Sequence, residues 1–276
     1  GNYVDISADE VVYNDGSTDQ RPYVCYKDIT SMVQGLGANA DGTYTAANIR
    51  AVTGRDDDNG LGGAAGWTMF IIYGNNNESS KNISLYDGFS TIDGNNDVDL
   101  NFKGFKTIPV GEVKAELIVA ALEGDNYIDG DNYQILDKSN DYVNVSNTLS
   151  PVDNFFNGSI SAFNNYITTR TPDSENTLGF DVDHIAINNG GNSIIGNNDT
   201  EVDLKFTTDG DVYWPFLNAF SIEILEPKIQ LVKTITNASN DDISGSTVNL
   251  GSELYYNISF QNIGTDNALN TKIIDR

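Results

Sequence analysis

The chain has 276 residues, enough for one large domain or two ordinary ones with an apolar core that needs no staples. Forty Asp and Glu against fifteen Lys and Arg give a formal charge of −25 and a pI near 4.1, the wrong sign for gripping nucleic-acid phosphates or anionic lipid head groups. One cysteine, Cys25, excludes an internal disulfide; a single histidine, His184, leaves too few soft ligands for zinc.

No stretch approaches the roughly 20 apolar residues of a membrane span, so direct membrane insertion is not expected. The opening GNYVDISADE lacks the basic start and apolar run of a signal peptide, which reads as a mature or excised segment. Twenty-six glycines, fourteen tyrosines and twelve phenylalanines, with frequent Asn-Gly and Asp-Gly steps, belong to strands joined by tight turns.

In chain order, DITSMVQGLG (28–37) is the best candidate for a short helix, with Asp28 or Thr30 as its cap. GWTMFIIYG (66–74), bounded by glycines and rich in β-branched and aromatic residues, predicts a buried strand. VDLNF (98–102) alternates Val98, Leu100 and Phe102 against Asp99 and Asn101, the period of a half-buried strand. KAELIVAALEG (114–124) fits helix or strand by pattern, with Ile118 and Val119 tipping it to strand. Later strands are predicted at GFDVDHIAI (179–187), EVDLKFTT (201–208), AFSIEIL (219–225), IQLVKTI (229–235), ELYYNISFQN (253–262) and Lys272 to Ile274. DGNNDVDLNF (93–102) and GNNDTEVDLKF (196–206) repeat an Asn-Asn-Asp turn before a V-D-L-x-F strand, the mark of two similar edges of one sandwich or of two convergent hairpins.

Pro227 interrupts two strand patterns in EILEPKIQLVKTITNAS and sets an expected boundary. Beyond it, Val232-Lys233-Thr234, Gly245 with Val248, Tyr256-Asn257-Ile258, Asn262-Ile263-Gly264 and Ala268 form a pattern that resembles the conserved-repeat Ig-like domains strung along large bacterial surface proteins. The region before it carries GTYTAANI (42–49), AGWTMFIIY (65–73), NISLYDGFSTI (82–92), EGDNYIDGDNYQI (123–135), DNFFNGSIS (153–161), NTLGFDVD (176–183) and TTDGDVYWPFLNAFSIEI (207–224). In that order they resemble the globular domain preceding such repeats in large secreted bacterial proteins, gliding-motility and other cell-surface adhesins among them. The resemblance supplies no catalytic residues and implies a role in surface architecture.

Three groups of residues are candidates for binding. EGDNYIDGDNYQILD (123–137) places Asp125, Asp129 and Asp131 among glycines and asparagines. It is not an EF-hand: counted from Asp125, Tyr127 falls at the third position and Leu136 at the twelfth. The three carboxylates, with Asn126 or Asn132 amides and backbone carbonyls, suit an irregular calcium site; the alternative is a pair of Gly-Asp-Asn turns capping their own backbone. Asp56, Asp57 and Asp58 in GRDDDNGLGG form a second candidate calcium loop, or a solvated one. Tyr213 and Trp214, beside Asp209 and Asp211, together with Trp67, are candidates for stacking on sugars if exposed and core residues if not.

His184 lies in a strand pattern, and no G-x-S-x-G, phosphate loop or H-E-x-x-H occurs, so no enzyme is expected. Seven N-x-S/T sequons (Asn77, Asn82, Asn144, Asn157, Asn198, Asn237, Asn257) fit an exported chain.

These readings converge on an all-β expectation: a jelly-roll-like β-sandwich over 1–226, then the incomplete start of an Ig-like sandwich over 227–276. Fifty residues cannot close a seven-stranded core. The expected function is a non-enzymatic structural or adhesive segment of an extracellular, cell-surface protein or filament. Its partners would be further Ig-like repeats or neighbouring subunits of the same protein, with surface glycans if the alternative, a calcium-dependent carbohydrate-binding module, holds.

Overall fold

In a computed structural model, described over residues 3–13, 22–51, 63–75 and 77–274, the chain is an all-β protein divided into two compact units, Gly1–Glu223 and Ile224–Arg276. No helix among the described residues is long and apolar enough to cross a membrane.

The first unit holds β1 (Glu10–Tyr13), β2 (Tyr23–Tyr26), helix α1 (Thr30–Gly35), β3 (Lys81–Asp87), β4 (Val98–Lys103), β5 (Ala115–Leu122), β6 (Asp131–Leu136), β7 (Tyr142–Asn144), β8 (Ile160–Ala162), β9 (Asn165–Tyr166), β10 (Phe180–Ala186), β11 (Glu201–Thr208) and β12 (Trp214–Glu223). Two of its sheets form a sandwich: six strands in the order β3-β12-β5-β10-β8-β9 and four in the order β4-β11-β6-β7. All neighbours in them are antiparallel except β10 and β8.

Period-two alternation turns Val202, Leu204 and Phe206 of β11 and Tyr133 and Ile135 of β6 inward, to meet Leu117 and Val119 of β5 and Phe220 and Ile222 of β12. Across the sheets the Phe102 and Phe220 rings lie 5.4 Å apart, and Asn218 Nδ2 donates to the Tyr133 hydroxyl at 2.6 Å. Tyr133 stacks on Phe206 at 4.7 Å. Burying one such ring stabilises the fold by roughly 1.5–3 kcal/mol.

The end of β5 is apolar on both faces, so a smaller core forms on the outside of the six-stranded sheet. Ala120, Leu122, Phe180, Trp214 and Phe216 gather there beneath Val24, Ala64 and Phe89. Gly66 makes this approach sterically allowed, since a Cβ at that position would sit 2.5 Å from the Phe180 ring. Tyr26 fastens the same cover by donating from its hydroxyl to the Gly88 carbonyl at 2.6 Å.

The second unit contains one antiparallel ribbon, β13 (Ile229–Thr236) with β14 (Tyr255–Asn262), paired from Ile229 opposite Asn262 to Thr236 opposite Tyr255.

Several sequence expectations change. Residues 66–74 form no strand, and Ile71, Ile72 and Tyr73 are exposed: the composition suits a strand, but no neighbour offers a ladder. Lys272 to Ile274 likewise form none. The strand expected at 219–225 begins earlier, at Trp214, with a register shift between Pro215 and Leu217 where proline has no N–H for the ladder. Helix α1 is capped at Ile29 without a side-chain bond, and Asp28 instead accepts the Thr30 N–H at 2.8 Å. The two V-D-L-x-F segments become neighbours, with Leu100 opposite Leu204 and Phe102 opposite Val202.

Candidate functional site

Two connections cross the same end of the sandwich side by side. Residues 123–130 lead from β5 in the six-stranded sheet to β6 in the four-stranded one, and residues 209–213 lead back from β11 to β12. Because Leu122 pairs with Trp214 and Asp131 with Thr208, the starts and ends of both loops are neighbours. Glu123 and Asp125 come from the first loop and Asp211 from the second, and one ligand oxygen from each lies within 4.8 Å of the others. Glu123 and Asp211 are buried; Asp125 is half-buried.

Backbone contacts hold the loops in place. The Glu123 N–H donates to Gly179 O at 2.6 Å, Gly130 N–H to Asp153 O at 2.6 Å, and Asp209 N–H to Gly130 O at 2.9 Å. Thr208 Oγ1 accepts the N–H groups of Gly210 (3.2 Å) and Asp211 (3.0 Å), an ST-type turn. Gly130 has φ +124° and passes so near the second loop that a Cβ there would lie 2.6 Å from Gly210 N; no other residue fits.

From Asp211 a file of buried carboxylates runs back behind this group. Asp131 Oδ2 accepts the Phe156 N–H at 2.5 Å. Asp181 Oδ1 accepts those of Gly158 (2.8 Å) and Ser159 (3.1 Å). Asp183 Oδ1 accepts the Ser150 and Ser161 hydroxyls at 2.8 and 2.6 Å, and Asp211 Oδ1 the Val212 N–H at 2.7 Å. In all four residues the second carboxylate oxygen is buried without a hydrogen-bond donor. None of the four takes part in an ion pair among the described residues; Lys81, Lys138 and Lys205 meet Glu116, Asp199 and Asp99 elsewhere.

Burial therefore dominates their electrostatics. It pushes Asp131 up to about 7 and Asp183 and Asp211 up to about 6, and holds Asp181 well above the usual carboxylate range. Like charges add to it, Asp125 acting on Asp211 and Asp183 on Asp181. Oxygen-only donors gathered on two fixed loops suit a hard cation or bound protons.

Of the residues expected from the sequence, Asp125 joins the group and Asp131 stands behind it. Asp129 is exposed and accepts from Asn154 Nδ2 at 3.3 Å, so it is not one of the converging ligands. Asn132 caps its own turn, with Nδ2 donating to Gly130 O and Oδ1 accepting the Asp153 N–H. Asp56, Asp57 and Asp58 lie outside the described residues.

The sugar-stacking expectation for Tyr213 and Trp214 is corrected: both rings are core, Tyr213 0% and Trp214 6% exposed, and a stacking ring needs an open face. The Tyr213 hydroxyl donates to Thr207 O at 3.0 Å and Trp214 Nε1 to Thr91 Oγ1 at 2.9 Å. Trp67 is open at 44%. His184 Nε2 lies 3.1 Å from Glu116 Oε2, and this contact, with Lys81 nearby, holds the Glu116 carboxyl below its usual range.

Glu123, Asp181 and Asp183 were not singled out from the sequence. Two of them carried a signal: Asp181 and Asp183 share the inward phase of β10 with Ile185, which places acids where the alternation asks for core.

Compared with protein-family models, curated proteins and solved structures, the chain matches none of them.

Proposed function

We propose that the chain is a non-enzymatic structural and adhesive segment of a long bacterial cell-surface protein or extracellular filament. The observation that carries this reading is the exposed apolar face of the ribbon in the second unit. Directly opposed residues of an antiparallel pair project to the same face. Leu231 and Phe260, Lys233 and Ile258, and Ile235 and Tyr256 therefore share one face. On it Leu231, Tyr256 and Phe260 are 54%, 57% and 62% exposed. The opposite face carries Gln230, Thr234, Asn257, Ser259 and Gln261 together with the half-open Val232 and Tyr255, so it is the more polar of the two.

An apolar face on one side of a β-ribbon is half of a sandwich, and two strands alone are marginally stable in water. Unpaired ribbon edges are moreover templates for added strands. The partner that fits is further β-structure of the same kind, an Ig-like repeat or a neighbouring subunit of the same protein, and a chain built to be extended in this way serves as a link in a surface array. The resemblance of residues 228–276 to Ig-like repeats supports the same reading.

Hydrogen exchange tests it. Amides of β13 and β14 are expected to exchange freely in the 276-residue chain and to gain at least a hundredfold protection in the assembled protein on its cell. Equal rates in both settings, or labelling by an antibody against the first unit only after cells are permeabilised, would overturn the proposal.

A further inference from the structure

We propose that Glu123, Asp125 and Asp211 bind one divalent cation, calcium, which clamps the β5–β6 connection to the β11–β12 connection at one end of the sandwich. This goes beyond the adhesive reading and stands independently of it.

Three observations carry the assignment. First, the donor set is convergent. Oxygens within 4.8 Å of one another stand close to the mutual spacing of ligands around one calcium ion, whose oxygens lie at about 2.3–2.6 Å from the metal, so small side-chain adjustments bring all three onto it. Second, the group contains an uncompensated buried oxygen. Asp211 is 4% exposed, and its Oδ2 is enclosed with no donor; Asp131, wholly buried and close enough to feel the Asp211 charge, has an equally orphaned Oδ1. A buried carboxylate oxygen is ordinarily satisfied by a donor, a basic side chain or a metal. Here the ion pairs of the described residues leave Asp131, Asp181, Asp183 and Asp211 untouched. Third, the frame is closely packed. Gly130 and Gly210 pack backbone against backbone, and Gly124 abuts the Asp181 carboxylate and the Phe156 carbonyl so closely that no Cβ could be placed there. The donors are thus held together by the fold, although like charge would drive them apart.

Chemistry selects the ion. Oxygen donors without nitrogen or sulfur favour a hard cation. Carboxylates arriving from irregular loops meet the loose six-to-eight coordination of calcium more readily than the near-octahedral shell that magnesium requires. Asp129 is excluded because its exposed carboxylate bonds Asn154.

The experiment uses the full chain, freed of metal and held near pH 7.5, with calcium chloride or magnesium chloride titrated in a calorimeter and melting followed in parallel. The expected result is one calcium per chain, a melting temperature several degrees higher in millimolar calcium than in chelator, and at least tenfold weaker binding to magnesium. Asp125→Asn, shown by circular dichroism to be folded, is expected to weaken calcium binding at least tenfold, whereas Asp129→Asn leaves it unchanged. Asp211→Asn gives the same loss as Asp125→Asn if it folds, and Asp125→Asn decides the matter if it does not. No heat of binding with identical melting in calcium and chelator would overturn the proposal, leaving protons as the occupants. So would calcium binding that survives Asp125→Asn at full strength, or a stronger response to magnesium than to calcium.

Discussion

The sandwich and the β13–β14 ribbon are made from the same residue types and bury them very differently. In β11, Leu204 and Phe206 are 0% and 2% exposed; in the ribbon, the equally apolar Leu231 and Phe260 remain more than half open. Both segments alternate, both pair in regular antiparallel register, and each presents an apolar face. What separates them is a second layer. The four-stranded sheet lies under the six-stranded one, so Phe102 finds Phe220 across the gap and Phe206 packs on Phe156 of the β7–β8 connection, while among the described residues the ribbon is the whole sheet of its unit. Alternation makes a strand; only another sheet makes a core.

The contrast breaks most directly at a core ring. Phe220→Ala removes a fully buried side chain packed on Phe102 and Phe105, and urea unfolding of the first unit's transition should show a loss of about 3–5 kcal/mol. A loss below about 1 kcal/mol would mean that the two sheets are not packed as described.

Acid sharpens it next. Burial raises Asp183 from the ordinary 3.8 to about 6, so the group contributes stability that is fully present below 3.8 and is lost as pH rises through 6, about 3 kcal/mol in all. Measured in chelator, the first unit should weaken between pH 4 and 7, and Asp183→Asn should flatten that slope. The second unit should respond in the opposite sense. Asp242, held below its usual range by Ser244, contributes stability that is present above 3.8 and lost as pH falls; its full exposure keeps the effect small. A parallel pH dependence of both units would remove the distinction.

A glycine substitution comes third. Gly130→Ala places a Cβ against Gly210 N at a φ of +124°, and a cost of about 1–3 kcal/mol is expected in thermal melts. The smallest effect belongs to the ribbon: Phe260→Ala, losing an open ring, should change stability by less than about 0.5 kcal/mol. A larger loss would show that its apolar face is already covered in solution.

Much of the fold was readable in advance. EVDLKFTT coincides with β11 residue for residue, the windows around β5, β10 and β14 hold those strands, and β4 and β13 each run one residue past theirs, because a strand's side-chain period is imposed by its own backbone. GWTMFIIYG was misread for the complementary reason: aromatic and β-branched composition marks residues that fit a pleated sheet without providing the neighbour that makes one. The candidate site was half legible. Asp125 and Asp131 lie in a turn-rich acidic stretch, but their companion Asp211 lies far along the chain in a segment noted for its aromatic rings, and Glu123 looked like the end of an apolar run.

Residue order alone determined the all-β character, the acidic surface, the alternation that aims Tyr133, Leu204 and Phe206 inward, and the glycines that let loops turn. Those properties are local, set by backbone sterics and by side-chain chemistry within a few residues. The tertiary structure decided which faces are covered, why Trp214 is core while Trp67 is open, and which acids share a site. Covering and proximity follow from how strands distant in sequence are ordered in two sheets. Pairing Leu122 with Trp214 and Asp131 with Thr208 brings two loops across one end of the sandwich, and burial there raises Asp131 and Asp211 above the ordinary carboxylate range.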